Sequence, residues 1–419
     1  MALPVTKFEV SAPGKLILHG EHSVVYGWPA VAGPIGLRTY LTYTALERSS
    51  TAEVVLRFDS IDNYTARLTL DSFGTFLREV DCNEALSPEQ FLQQMRTGNE
   101  FPFARFIHEP VLTLAERGSK QWMSLGAALY LLNRVLRSEG VLDVDRACVG
   151  EGGFEFRLRS TMSIGAGLGS SASYGVSLAA GAYVFSRILH RQFDPAGDGN
   201  GQQLLTAALP KISQWAFDSE VIMHEKPSGI DNTIAAYGEL IRFRRGDPDH
   251  HTIALRHPLH VLIVDTCVSR STAQLVTITA NRRQHFPRTI GSILEAMGGI
   301  VEEAIELLES SDHDQATVHE RLGTLVTINN NLLRSLGTSH PSLERIFALA
   351  DRYGFASKLT GAGGGGCAFI LLPDSYRELD AFRQLQNGLA EAGFVSIETT
   401  ISGGTGVTLT TFPTSRTEG

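Results

Sequence analysis

Glycine is bunched in this chain rather than spread along it. Of 41 glycines in 419 residues, the densest groups lie at Gly14 to Gly36, Gly165 to Gly169 and Gly361 to Gly366. Glycine loses more backbone freedom on folding than any other residue, so such groups mark sharp turns or close approach of the backbone to another group. The rest of the chain can support a fold around them. An apolar fraction of 43% and a charged fraction of 19% suit a globular protein and argue against long disorder. The length suits two or three domains, and there is no repeat period.

Local patterns predict a mixture of helix and strand. Lys7 to Ala12, Leu16 to Leu18, Leu37 to Leu46, Val54 to Phe58 and Phe154 to Ser160 read as strands, the last by its alternation of apolar and polar residues. Ser87-Pro88-Glu89-Gln90 has the serine, first-turn proline and third-position glutamine of a helix start. Helix is expected over most of Leu112 to Leu136, from Ala172 to His190 and from Gln202 to Met223, and then from Ser271 to Tyr353 with breaks near Pro287, Asp312 and Pro341. Strands are expected at Leu240 to Phe243, Val261 to Val264, Cys367 to Leu372, Val395 to Thr400 and Val407 to Thr411, with a helix from Tyr376 to Ala392. The elements are interspersed without regular βα alternation, which favours an α+β fold over a doubly wound sheet. The polar stretch Arg244 to His251, with Gly246 and Pro248, is the expected domain boundary, dividing the chain into 1–246 and 247–419.

Charge and cysteine narrow the function classes. The net charge of −9 argues against bulk attraction to nucleic acid or anionic lipid. Cys82, Cys148, Cys267 and Cys367 form no CxxC pair, so neither a zinc knuckle nor a redox pair is expected. They are read as reduced thiols. Neither a signal peptide nor a membrane span is legible. The expectation is a soluble cytoplasmic protein, with the peroxisome left open.

Four segments carry chemistry. Gly165-Ala166-Gly167-Leu168-Gly169-Ser170-Ser171-Ala172 follows a strand and opens a helix. Its amides and the helix dipole suit a polyphosphate, Ser170 and Ser171 can cap the helix, and one hydroxyl can reach a metal or phosphate oxygen. No Gly-Lys-Ser/Thr follows, so it is not the common P-loop. Lys358-Leu359-Thr360-Gly361-Ala362-Gly363-Gly364-Gly365-Gly366-Cys367 matches GxGxxG, but a strand-like run follows where a dinucleotide site needs a helix, so that reading is rejected. Close approach to a ligand or to another loop explains the run better than a loose turn does. Lys15 follows a Pro-Gly turn, where a strand-edge charge is the plain alternative to a residue in a cleft. Glu220 ends a helical stretch, and Ser228-Gly229-Ile230-Asp231 can start the next helix. A solvated charge and a capping residue are their plain readings. Together, however, two glycine loops, a helix N-terminus, a candidate base, a carboxylate for a metal and a lysine are the components of phosphoryl transfer.

With those residues in view, the sequence resembles the GHMP kinases: galactokinase, homoserine kinase, mevalonate kinase and phosphomevalonate kinase. Ala12-Pro13-Gly14-Lys15 with Leu18-His19-Gly20-Glu21-His22 is similar to the first motif of the mevalonate kinase branch, Gly165 to Ala172 to the phosphate loop, Pro227-Ser228-Gly229-Ile230-Asp231-Asn232 to the catalytic segment, and Lys358 to Cys367 to the third motif. The four stand in family order, and the resemblance runs from near residue 8 to near residue 410. The chain departs from the family at Glu225 and Lys226 before the Pro-Ser-Gly, at Ser163 and Ile164 before the phosphate loop, and at Cys267.

The resemblance implies an N-terminal domain like ribosomal protein S5 domain 2, a ferredoxin-like C-terminal domain and an active site between them. It implies ATP as co-substrate, bound at Gly165 to Ala172, with Mg²⁺ held by Ser171 and Glu220. Asp231 would take the proton of the substrate hydroxyl, and Lys15 would stabilise charge beside it. Lys15, Glu21, His22, Asp231, Thr272 and Gly363 would form the substrate pocket. The implied reaction is phosphorylation of the 5-hydroxyl of mevalonate. The implied partners are mevalonate and ATP, with inhibition by prenyl diphosphates and a homodimer. Another kinase of the superfamily, acting on phosphomevalonate or a sugar, and a non-catalytic ligand sensor on the same fold are the alternatives. The segment from Asp81 to Lys120 has no role legible in the sequence.

Overall fold

The computed structural model describes residues 7–412 apart from 48, 110–112, 145–148, 150, 164, 196–198, 226, 246, 248–249 and 270. Its strands are β1 (Lys7–His19), β2 (Pro29–Ala45), β3 (Glu53–Phe58), β4 (Tyr64–Thr69), β5 (Gly153–Ser160), β6 (Ile241–Arg244), β7 (His251–Thr252), β8 (Leu259–Asp265), β9 (Ser357–Leu359), β10 (Cys367–Leu372), β11 (Val395–Ile401) and β12 (Thr408–Thr411). Its helices are α1 (Leu70–Glu79), α2 (Pro88–Thr97), α3 (Lys120–Ser138), α4 (Ser170–Leu189), α5 (Gly201–His224), α6 (Ile230–Tyr237), α7 (Thr272–His285), α8 (Pro287–Glu309), α9 (Gln315–Leu336), α10 (Pro341–Arg352) and α11 (Asp380–Glu391).

The local signals place most of these elements. The Ser87 start is a full capping box: its hydroxyl accepts from the Gln90 amide at 3.3 Å, and the Gln90 side chain accepts from the Ser87 amide at 3.0 Å. Pro287 and Pro341 each open a helix, where a missing amide hydrogen costs nothing. Other features differ from expectation. The two expected strands at the N-terminus are one strand, β1, which runs through Pro13-Gly14 by means of a register shift against β2. The pair β4 and α1 was not expected. The helix after Tyr376 starts only at Asp380, preceded by a short 3-10 turn.

The sheet is mixed, as an α+β fold allows. Its path is β4-β3-β5-β2-β11-β8-β10-β9, antiparallel except for the parallel pair β3–β5. The last four strands stand in the order 4-1-3-2 of their own half, all antiparallel, which is the ferredoxin-like arrangement. The two halves of the sheet join at a single pairing on that path, Ile401 with Ile35. The chain then returns to the first half, where β12 pairs with β1. The boundary expected at Gly246 and Pro248 lies outside the described residues.

Packing follows the side-chain period of two. In β10, Cys367, Phe369 and Leu371 enter a core shared with Leu16, Ile35, Leu168 and α9, while Ala368, Ile370 and Leu372 enter a second core under α10 and α11. A strand covered on both faces is continuously apolar, which explains Cys-Ala-Phe-Ile-Leu-Leu. The N-terminal half buries its own core of Phe8, Tyr43, Phe154, Phe156 and Phe185 beneath α3 and α4. The shared core holds β1, the phosphate loop and the C-terminal sheet together, and so sets the distances between segments that are far apart in sequence.

Candidate active site

Lys15 follows the irregularity in the β1–β2 pairing, a place where bulges re-aim side chains. Its amide donates to the Leu168 carbonyl at 2.8 Å, which lays the phosphate loop over β1. Its ammonium lies 3.3 Å from Asp231 Oδ1. Gly169, at φ 70°, is the N-cap of α4. A Cβ there would sit 2.8 Å from Lys15 Cγ, so both the turn and the lysine require glycine. The cap has no side-chain bond, which corrects the expectation that Ser170 or Ser171 caps the helix. These serines are its first two residues, and their hydroxyls are available for other partners. The buried Ser173 Oγ instead ties α4 to β1 by donating to the Ala12 carbonyl at 2.7 Å.

Asp231 lies in the first turn of α6, as expected. The cap is Gly229 rather than Ser228, whose hydroxyl accepts from the Ile230 amide at 3.4 Å. Asn232 anchors this turn by donating to Ser213 Oγ and the Ser213 carbonyl, both at 3.0 Å. Glu220, on α5, is 3% exposed, and its Oε1 has no hydrogen-bond partner. Burial, followed by the nearby Asp231 charge, pushes its carboxyl up to about 8, against the opposing effects of Ser171 and Lys15. One turn further along α5, His224 Nε2 lies 2.9 Å from Ser171 Oγ. Burial holds its imidazole below the ordinary range. No role for His224 was read from the sequence, although its i+4 spacing from Glu220 puts both on one helical face.

These groups open onto a cavity of about 1100 Å³. Gly165, Gly167, Gly169, Ser170 and Ser171 line it. Ala166, Leu168 and Ala172 are buried in the protein. Beyond the phosphate loop the lining continues through Phe58, Ser60, Ile61, Ser119, Lys120 and Ser160. Lys120 thus brings the end of the unassigned 81–120 segment to the site. In the other direction the wall includes Glu21, His22, Val25, Thr272, Val276, Gly361 and Ala362. Thr272 is the exposed first residue of α7.

Glu21 and His22 lie at this wall but are 2% and 6% exposed. Gly363 is not part of the lining. At φ 78°, its Cβ position would fall 2.1 Å from the Thr338 carbonyl oxygen. The glycine run approaches other loops at close range. Gly364 donates to the Thr338 carbonyl at 2.7 Å, and Gly366 to the Val268 carbonyl at 3.1 Å. Of the departures from the family, Glu225 closes α5 at φ 66° and pairs with Arg96 at 3.0 Å. Cys267 is exposed. Ile164 and Lys226 lie outside the described residues.

Among the described residues no cluster of three or more His, Cys, Asp or Glu side chains could hold a metal by itself, and no helix is long and apolar enough to cross a membrane. The donor set still suits a hard cation. Magnesium takes oxygen ligands, often one or two protein groups with the remainder from phosphates and water. Glu220 presents a buried carboxylate oxygen without a partner, close to Ser171.

Comparison with known proteins agrees with the geometry. Residues 131–239 match the GHMP kinases N terminal domain and residues 292–410 the GHMP kinases C terminal family. A mevalonate kinase of Gibberella zeae is 35% identical over 419 residues, covering 94% of this chain and 76% of that protein. The Arabidopsis thaliana mevalonate kinase is 32% identical, covering 86% and 90%, and the Homo sapiens mevalonate kinase 32%, covering 96% and 94%. The fold is similar to that of Methanococcus jannaschii mevalonate kinase, with a TM-score of 0.65 at 21% identity, covering 94% of this chain and 98% of that one. It is also similar to L. major mevalonate kinase in complex with R-mevalonate, with a TM-score of 0.62 at 23% identity, covering 96% and 99%. By sequence over most of its length, and by fold, the chain belongs to the GHMP kinase family, among its mevalonate kinases.

Proposed function

We propose that the chain transfers the γ-phosphoryl group of ATP to the 5-hydroxyl of mevalonate, giving 5-phosphomevalonate and ADP. The observation that carries this reading is the Lys15–Asp231 contact of 3.3 Å, set in one cavity with the free N-terminus of α4. An alcohol is a poor nucleophile at neutral pH. Asp231 accepts its proton as the new P–O bond forms, and Lys15 offsets negative charge on the transferring group. The amides of the first turn of α4 and the loop before it hold the phosphates. The lining from Phe58 to Ile61 and at Ser119, Lys120 and Ser160 takes the nucleoside, and the wall at His22, Val24 and Val25, with Thr272 and Ala362, takes the acceptor. Ser171 and Glu220 would hold Mg²⁺, which supplies charge neutralisation on the phosphates when bound. Most of the rate enhancement then comes from positioning and electrostatics.

Residues 1–246 carry the nucleotide loop and the base, and residues 247–419 carry the third motif, with β12 returning to the first half. The family resemblance extends the proposal to a homodimer, to inhibition by prenyl diphosphates competing with ATP, and to a cytoplasmic protein in isoprenoid synthesis. Sedimentation, inhibition kinetics and cell fractionation test these in turn. The main test is ADP release with Mg·ATP in the presence of mevalonate, phosphomevalonate or galactose. Release with mevalonate alone is expected. Release with another acceptor instead would overturn the substrate, and nucleotide binding without release from any of them would point to a sensor.

A further inference from the structure

Lys358 has no part in the reaction as described, yet its side chain is 0% exposed and that of Glu21 is 1%. Two hydrogen bonds hold its ammonium. Lys358 Nζ donates to Glu21 Oε1 and to the Leu359 carbonyl at 2.9 Å, and it lies 5.2 Å from the centre of the Phe369 ring. The second Glu21 oxygen accepts from Asn329 Nδ2 at 3.4 Å, and the same nitrogen lies 3.3 Å from His19 Nδ1. Glu21 belongs to the turn after β1, whereas Lys358 and Asn329 belong to β9 and α9, so the pair spans the two halves of the chain. The next residue repeats the pattern. His22 Nε2 donates to the Ala362 carbonyl at 2.8 Å, and His22 Nδ1 lies 3.3 Å from Thr279 Oγ1 on α7. A carbonyl only accepts, so Nε2 carries a proton.

Removing two ions from water costs several kcal/mol each, and an apolar pair of the same shape often does as well or better for stability. Stability alone is therefore a weak reason for this pair. Its location suggests another, because Glu21, His22 and Ala362 form the wall at the acceptor end of the cavity. We propose that Glu21 and Lys358 are positioning residues: their ion pair makes no contact with substrate and instead locks the Gly20–His22 turn against β9, holding His22 and the glycine loop in register around the acceptor. The kinetic part of this inference rests on the proposed function.

The test uses the full chain and three variants: Glu21→Gln, Lys358→Met, and the two combined. Each single variant leaves one partner of a buried pair uncompensated and should melt below wild type, whereas the double variant should melt close to it. In the double variant KM for mevalonate should rise about tenfold or more, with KM for ATP changed less than about twofold. Amides of residues 20–22 and 361–366 should exchange hydrogen faster than in wild type. Three results would each overturn the proposal: a double variant with the wild-type KM for mevalonate, an equal rise in both KM values, or a defect in Glu21→Gln absent from Lys358→Met, which would make Glu21 a direct ligand. If the wild-type chain releases no ADP with mevalonate, the substrate assignment has failed, and unchanged exchange in the two loops separately refutes the positioning role.

Discussion

Glu220 ties the site to the stability of the chain. Its carboxyl titrates at about 8 instead of the ordinary 4.5, so between those values the folded chain keeps a proton that the unfolded chain releases. The folded state then binds more protons, and its stability falls as pH rises from about 4.5 to 8 before levelling off. At about 1.36 kcal/mol per pH unit, the full destabilisation is of order 5 kcal/mol. Glu220→Gln keeps the shape and removes the titration. With a chelator present, wild type and variant should unfold alike near pH 4, and the variant should be the more stable by roughly 2–5 kcal/mol at pH 8.5. Urea unfolding of both proteins across that range measures the difference. Adding Mg·ATP should reverse the order, because ligand stabilisation depends on affinity and the variant lacks the carboxylate. Parallel pH curves for the two proteins would refute the assigned burial and its consequence.

Asp231→Asn should fold, bind ATP and turn over slower by orders of magnitude. It should also bring the Glu220 titration down, because the Asp231 charge is the second cause of that shift. Near-normal turnover would remove Asp231 from the role of base. Gly169→Ala places a methyl 2.8 Å from Lys15 Cγ at a left-handed φ. It should cost about 1–3 kcal/mol in denaturation and lower kcat by displacing the ammonium, and wild-type kinetics would contradict the packing. Gly363→Ala meets the Thr338 carbonyl at 2.1 Å and lies off the cavity. It should lower the melting temperature, and unchanged melting would mean that the glycine run is not packed as described.

Short-range patterns were legible wherever their cause is local. The Ser87 capping box, the proline breaks in the helical region and the alternation in β5 each depend on a few adjacent residues, and each stands as expected. The order of the four motifs was equally legible and carried the family. β4 and the passage of β1 through Pro13-Gly14 escaped notice because strand partners set their conformation rather than their own composition. The helix α1 escaped notice despite a local signal: Thr69 caps it by accepting from the Ser72 amide, and Leu70, Phe73, Phe76 and Leu77 recur at helical spacing.

The sequence by itself determined the α+β class, the family and which side chains could perform phosphoryl transfer. The tertiary structure decided how those side chains meet. Lys15, Ser171, Glu220 and Asp231 come from four separate segments, and only the packing of β1, α4, α5 and α6 brings them to one cavity. The same packing decides that Glu220 is desolvated, that the glycine run packs against Thr338 and Val268, and that Lys358 is paired with Glu21. Burial and interatomic distance are properties of the whole chain packed around its cores. A residue's identity and its near neighbours specify its chemistry, while its pKa and partners depend on segments hundreds of residues away.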